Sequence, residues 1–205
     1  MLAILLIILS TLVGCAALRS TRNVVPVPTS DSTILQKTKG IAMTKDNISV
    51  IAVYLQSVKE LDGFGVMLAN ETSNWISLKK EECMLIQDGK VKYPLSDSKA
   101  AARIGTGYKS KMPDELAVDI SNWRRDINTR SSRASKTLDT KVMDKDADGN
   151  PIIKLSLVPG SKETFYLYFS TEGSTTPMQL IIPNVYNETT KERTTFTFQF
   201  MVEKK

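Results

Sequence analysis

At 205 residues, 41% hydrophobic and 24% charged, the chain is long enough for one domain with a proper core. It contains no histidine, which removes the commonest general base, the commonest metal ligand and any Ser-His or Cys-His dyad. The net charge of +5 is concentrated: nine basic and four acidic residues lie between Lys99 and Lys136, a difference that equals the whole net charge. Such a patch suits nucleic acid, anionic lipid or an acidic partner.

The chain opens on an apolar run, Leu2 to Val13, interrupted only by Ser10 and Thr11, and the run ends in Leu12-Val13-Gly14-Cys15. A membrane-crossing helix needs about 20 apolar residues and a signal h-region about 7 to 15, so processing is the better reading. Small residues at Gly14 and Ala16 leave the backbone around Cys15 open to a peptidase. The four residues resemble the lipobox of bacterial lipoproteins, although nothing charged precedes Arg19 as a basic start would. The resemblance implies cleavage after residue 14 and a lipid-modified Cys15. It also implies a protein held on the bilayer in the bacterial cell envelope, with Ala16 favouring the outer membrane. Residues 1–14 are then a signal peptide, 15–40 the acylated N-terminus with its tether, and 41–205 the folded domain. An envelope address argues against a nucleic-acid partner and for another envelope protein.

Ala16 to about Lys39 is rich in Ser, Thr, Pro and Val and has no aromatic residue. Pro26 and Pro28 are expected to interrupt regular structure, giving a flexible tether with a mean reach on the order of 25 to 30 Å. Strand signals begin at Ile48 to Leu55 and Gly63 to Asn70. They continue through Trp75 to Leu85 and, after the hairpin signal Asp88-Gly89, Lys90 to Leu95. Four strands joined by short turns predict an antiparallel sheet.

The period then changes. Ser96 to Arg103 is alanine-rich and suits a short helix. Pro113 with Asp114 and Glu115 suits a helix start, and Leu116, Ile120, Trp123, Ile127 and Ala134 share one stripe. An amphipathic helix is therefore expected within an insertion at about 96–136. Its flank would carry Arg124, Arg125, Arg130 and Arg133 toward a partner or an anionic surface. Thr137 to Met143, Ile152 to Leu157, Glu163 to Ser170, Met178 to Ile182 and Thr194 to Val202 read as strands, with Val158-Pro159-Gly160 a turn. In the last, Phe196, Phe198, Phe200 and Val202 alternate with Thr195, Thr197 and Gln199, one dry face and one wet.

The expected fold is mainly β: an immunoglobulin-like antiparallel β-sandwich with an inserted amphipathic helix, loosely similar to small sandwich domains of envelope lipoproteins. Chemistry is sparse. Asp144, Asp146, Asp148, Gly149 and Asn150 match the first half of a calcium loop, but Leu155 stands where a bidentate Glu belongs. A polar hairpin turn explains the same residues. Cys83 suits a buried small hydrophobe, and Trp75 and Trp123 suit core or anchoring positions. The expectation is a non-enzymatic binding or scaffolding lipoprotein without a cofactor. A calcium- or small-ligand-binding sandwich is the alternative, and a hydrolase comes third.

Overall fold

Nearly every strand is laid down by alternation or a β-branched run, and the turns between them carry the residues that tolerate positive φ. The computed structural model describes residues 23–58, 61–104, 144–145, 151–152, 154–170 and 176–203. Its strands are β1 (Asn23–Val27), β2 (Ser32–Leu35), β3 (Gly40–Lys45), β4 (Ile48–Val58), β5 (Leu61–Asn70), β6 (Ile76–Lys79), β7 (Met84–Gln87) and β8 (Lys90–Lys92). After helix α1 (Asp97–Ile104) come β9 (Asp144–Lys145), β10 (Pro151–Ile152), β11 (Lys154–Leu157), β12 (Lys162–Ser170), β13 (Met178–Asn187) and β14 (Arg193–Glu203).

The protein is mainly β, with two antiparallel sheets whose apolar faces share one core, as in a β-sandwich. The five-stranded sheet runs β12-β5-β4-β3-β2. The seven-stranded sheet runs β1-β14-β13-β6-β11, with β7 also on β13 and β8 on β7. On the edge away from β14, β13 serves two partners: Met178 to Ile181 pair with β7, and Tyr186 and Asn187 pair with β6. The change falls at an irregularity between Ile182 and Val185. Pro183 cannot donate to a ladder there, and Asn184 takes a φ of 51°.

The core is lined by Phe165, Leu167 and Phe169 from β12, Phe64, Val66 and Leu68 from β5, and Phe196, Phe198 and Phe200 from β14. Phe64 joins the two sheets through an edge-on contact with Phe200 at 5.1 Å, and within its own sheet it meets Tyr54 at 5.4 Å and Phe169 at 6.0 Å. Each such pair adds about 0.5–1.5 kcal/mol beyond burial. The one-dry-face pattern holds for β14. It fails for β5, which is buried at all ten positions, because Leu35, Ala42, Ile51, Val53 and Met67 form a second apolar cluster.

The expected hairpin at Asp88-Gly89 is present, with φ of 53° and 69°. Both central residues of a type I′ turn need positive φ. Asp46 and Asn47 repeat that pattern between β3 and β4.

Two expectations need correction. Residues 15–40 are not all tether. β1 pairs with β14 from Asn23↔Glu203 to Val27↔Gln199, and β2 pairs with β3. Val24 is only 6% exposed, so burial of its β-branched side chain outweighs the proline signal. Pro26 is tolerated because β1 is an edge strand. The chain crosses between the sheets at a turn where Ser32 N–H donates to Thr29 O and Thr29 N–H donates to Ser32 Oγ. The strand expected over Met178 to Ile182 also runs on to Asn187, past the irregularity.

α1 accounts for the alanine-rich segment after Leu95. Leu95 N–H donates to Tyr168 O, and Arg103 Nη1 donates to Ser170 Oγ at 3.3 Å, so this segment lies along the β12 edge. Pro113 to Ala134, where the amphipathic helix is expected, and the strand expected over Thr137 to Met143 lie outside the described residues.

Candidate functional site

A cleft of about 240 Å³ opens where β6, β11, β13 and β14 meet. β6 supplies Ser77, Leu78 and Lys79, and the 3-10 turn that follows it supplies Glu82. Lys154 enters from β11, Asn184 and Tyr186 from β13, and Arg193 from the start of β14. Register explains the convergence, since Tyr186 is opposite both Ser77 and Arg193. The irregularity before Val185 turns Asn184 so that its Nδ2 donates to Glu82 Oε2 at 3.1 Å. Lys79 also sits 3.8 Å from Glu82.

Tyr186 is the centre of charge. Lys154 and Lys191 lie 5.6 Å from its ring centroid and Arg193 lies 5.8 Å away. The negative face of an aromatic ring attracts such cations. Glu188, just beyond β13, accepts from Ser77 Oγ at 2.5 Å and from Lys154 Nζ. Burial alone would raise the Glu188 pKa. The hydrogen bonds from Lys154 and Ser77, with the charges of Lys154 and Lys191, outweigh burial and hold the carboxyl below the ordinary glutamate value. A carboxylate held ionised in this way is a poor proton acceptor, and Ser77 is 1% exposed. The Ser77–Glu188–Lys154 group is therefore a brace between three strands, not an activated nucleophile.

Four cations, Lys79, Lys154, Lys191 and Arg193, thus face two carboxylates, Glu82 and Glu188. Trp75 stands beside them, tied through Glu188 N–H donating to its carbonyl at 2.9 Å. At 46% exposure Trp75 lies outside the core, one of the two positions expected for it, the other being an anchor.

At the other end of β13 lies a second cleft of about 340 Å³, lined by Val27, Ile86, Gln87, Pro177, Gln179 and Met201 among others. Gln87 is 1% exposed, and its Oε1 accepts from Lys92 Nζ at 3.3 Å. Its Nε2 is buried without a hydrogen-bond partner.

Cys15, Arg124, Arg125, Arg130, Arg133, Asp146, Asp148 and Asn150 lie outside the described residues. Asp144 pairs with Ile152, and Lys145 with Pro151. The ends of the acidic stretch are therefore strand, where a helix-flanked calcium loop would have helices. No group of three or more Cys, Asp or Glu residues able to hold a metal occurs among the described residues. Cys83 is free and buried, between the 3-10 turn and β7 rather than within a strand. Burial, with the nearby negative charges of Glu81 and Glu82 against Lys80, pushes its pKa up to about 12. It is inert as a thiolate nucleophile.

Sequence reading missed the first cleft because its cations come from separate segments. The only local signal was the density of charge in Glu188 to Arg193, which also describes a solvated turn. The fold defines a mainly-β, two-sheet protein with a cationic, aromatic cleft. No protein-family model, curated protein or solved structure matches the chain.

Proposed function

We propose that this protein is a non-enzymatic bacterial envelope lipoprotein, acylated at Cys15 and held on the outer membrane. Its immunoglobulin-like sandwich serves as a binding or scaffolding module for another envelope component, without nucleic acid. The cleft around Tyr186 carries the binding reading: it gathers cations and aromatic surface from four strands, while Ser77, the one serine among its described lining residues, is closed into an ion-paired brace. The lipobox carries the anchor. β1 supports it by starting on a sheet edge at Asn23, eight residues past Cys15. Eight residues span at most about 29 Å, so the domain stays close to the bilayer. Incorporation of labelled palmitate into the wild type, lost in Cys15→Ser, is the expected result. Equal labelling of both proteins would remove the anchor.

Calcium is the second reading. It rests on the spacing of Asp144, Asp146, Asp148 and Asn150, in a stretch whose ends pair as β9 and β10 in place of a calcium loop's flanking helices. Calcium at millimolar concentration should then raise the melting temperature, and an unchanged melt removes the idea.

A further inference from the structure

The two ends of β14 have different neighbours. At one end Glu203 pairs with Asn23, the residue from which the chain leads back to Cys15. At the other end Arg193 pairs with Tyr186 in the cleft. Ten residue steps at about 3.3 Å separate them by roughly 33 Å along the strand. A domain attached at its Asn23 end presents the Tyr186 cleft at its far end, away from the membrane that holds it.

The cleft also has the chemistry of a contact surface. Its charge excess is two, four cations against two carboxylates. Glu82 is engaged by Lys79 and Asn184, and Glu188 by Lys154 and Ser77. Among the described residues no carboxylate pairs with Arg193, which is exposed at the start of its strand. A guanidinium offers a planar fork that fits a carboxylate with two parallel hydrogen bonds. Trp75, Tyr186 and Arg193 are the three residue types that dominate protein contacts, and here they share one end of the sandwich.

We propose that the Tyr186–Arg193 cleft docks an acidic segment of a polypeptide partner. The preference for a polypeptide over a lipid headgroup rests on the proposed attachment at Cys15. The charge complementarity of the cleft does not. An acidic side chain or chain terminus would meet the Arg193 guanidinium, which shares the Tyr186 ring with Lys191, while the partner's apolar groups cover Tyr186 and Trp75. Contacts of this kind weaken as salt screens them.

The test uses the full chain in non-ionic detergent micelles and a fluorescent hexaglutamate peptide, read by anisotropy at low and high salt. Binding should be present at low salt and fall steeply with added salt. Arg193→Glu should weaken it at least tenfold, Arg193→Lys should retain part of it, and Lys191→Glu should weaken it several-fold. Both positions are exposed, and melting curves check that the variants fold. Three results would overturn the proposal. One is peptide affinity unchanged in Arg193→Glu. Another is loss of binding in the Arg124→Glu, Arg125→Glu double variant in place of Arg193→Glu, which would move the acid-binding surface elsewhere. The third is no peptide binding alongside Arg193-dependent capture of phosphatidylglycerol vesicles, which would assign the cleft to headgroups. Cys15→Ser should bind the peptide as the wild type does. Failure of palmitate labelling would therefore remove the anchor, and failure of peptide binding the cleft, each by its own readout.

Discussion

Asn70-Glu71-Thr72 closes β5 in one sheet, and Asn187-Glu188-Thr189 closes β13 in the other. The local turn is the same in both. The asparagine Oδ1 accepts the N–H of the threonine two residues on at 3.0 Å, the reach that lets Asn mimic a backbone turn. The surroundings differ. Asn70 is 1% exposed, and its Nδ2 donates to Asn74 O at 2.8 Å and to Leu157 O at 3.1 Å, tying β5 to the end of β11. Asn187 is 9% exposed, and its Oδ1 stays within its own turn, accepting also from Thr190 N–H. The glutamates diverge as well. Glu71 N–H donates to Asn47 O in the β3–β4 turn, whereas the Glu188 carboxylate gathers Ser77 and Lys154. One tripeptide thus writes one turn, and the neighbouring strands decide whether that turn locks the sandwich or edges a cleft.

The comparison is sharpest in a pair of alanine variants. Asn70→Ala removes the donor to the buried Leu157 carbonyl, the acceptor of the Thr72 N–H and one of two donors to the Asn74 carbonyl, and should cost about 3 kcal/mol. In a domain of this size that lowers the melting temperature by roughly 6–12 °C. Asn187→Ala removes only a local cap and should cost about 1 kcal/mol. Equal losses in thermal melts of the two variants would break the distinction between lock and edge.

Next in size is a gain. Gln87→Met removes the buried, unpartnered Nε2 and keeps the side chain's length, so stability should rise by about 1 kcal/mol. Denaturant titration reads it, and a loss would mean that the amide has a partner in solution.

Glu188 is expected to have a smaller effect, because its side chain is 32% exposed and its ion pair is partly screened. Its pKa is lowered on folding, so its contribution is complete above the ordinary value of 4.5 and is lost as pH falls through the folded value. Glu188→Gln should therefore destabilise the protein at neutral pH by under about 1 kcal/mol and converge with the wild type in acid. Parallel melts at pH 7 and pH 3 distinguish this from a pH-independent loss. Cys83, with its pKa near 12, should leave no trace at all in the folded state. A thiol reagent at pH 8 should label it only at the rate of unfolding, and fast labelling would show the β7 end of the core to be open.

Much of the architecture was legible. Phe196, Phe198 and Phe200 were read as inward from their alternation, and all three are buried at 1% or less. Asp88-Gly89 was read as a hairpin because few other residue pairs accept positive φ twice. β1 was missed because Pro26 signals a break, and only the presence of β14 beside it makes an edge strand the better outcome. The cleft was missed for a related reason. Lys79, Lys154 and Arg193 are far apart in the chain, and none differs in type from a solvated surface cation.

By itself the sequence determined the strand-forming segments, their inward faces and the tight turns, because those depend on side-chain alternation and on local φ. It also carried the Leu12 to Cys15 box, which is a matter of four adjacent residues. Tertiary structure alone decided what each turn and charge became. Pairing register set Tyr186 between Ser77 and Arg193, brought Lys154 onto Glu188, and buried one Asn-Glu-Thr turn more deeply than the other. Such outcomes depend on strands distant in sequence, and local sequence holds no record of which strands will be neighbours.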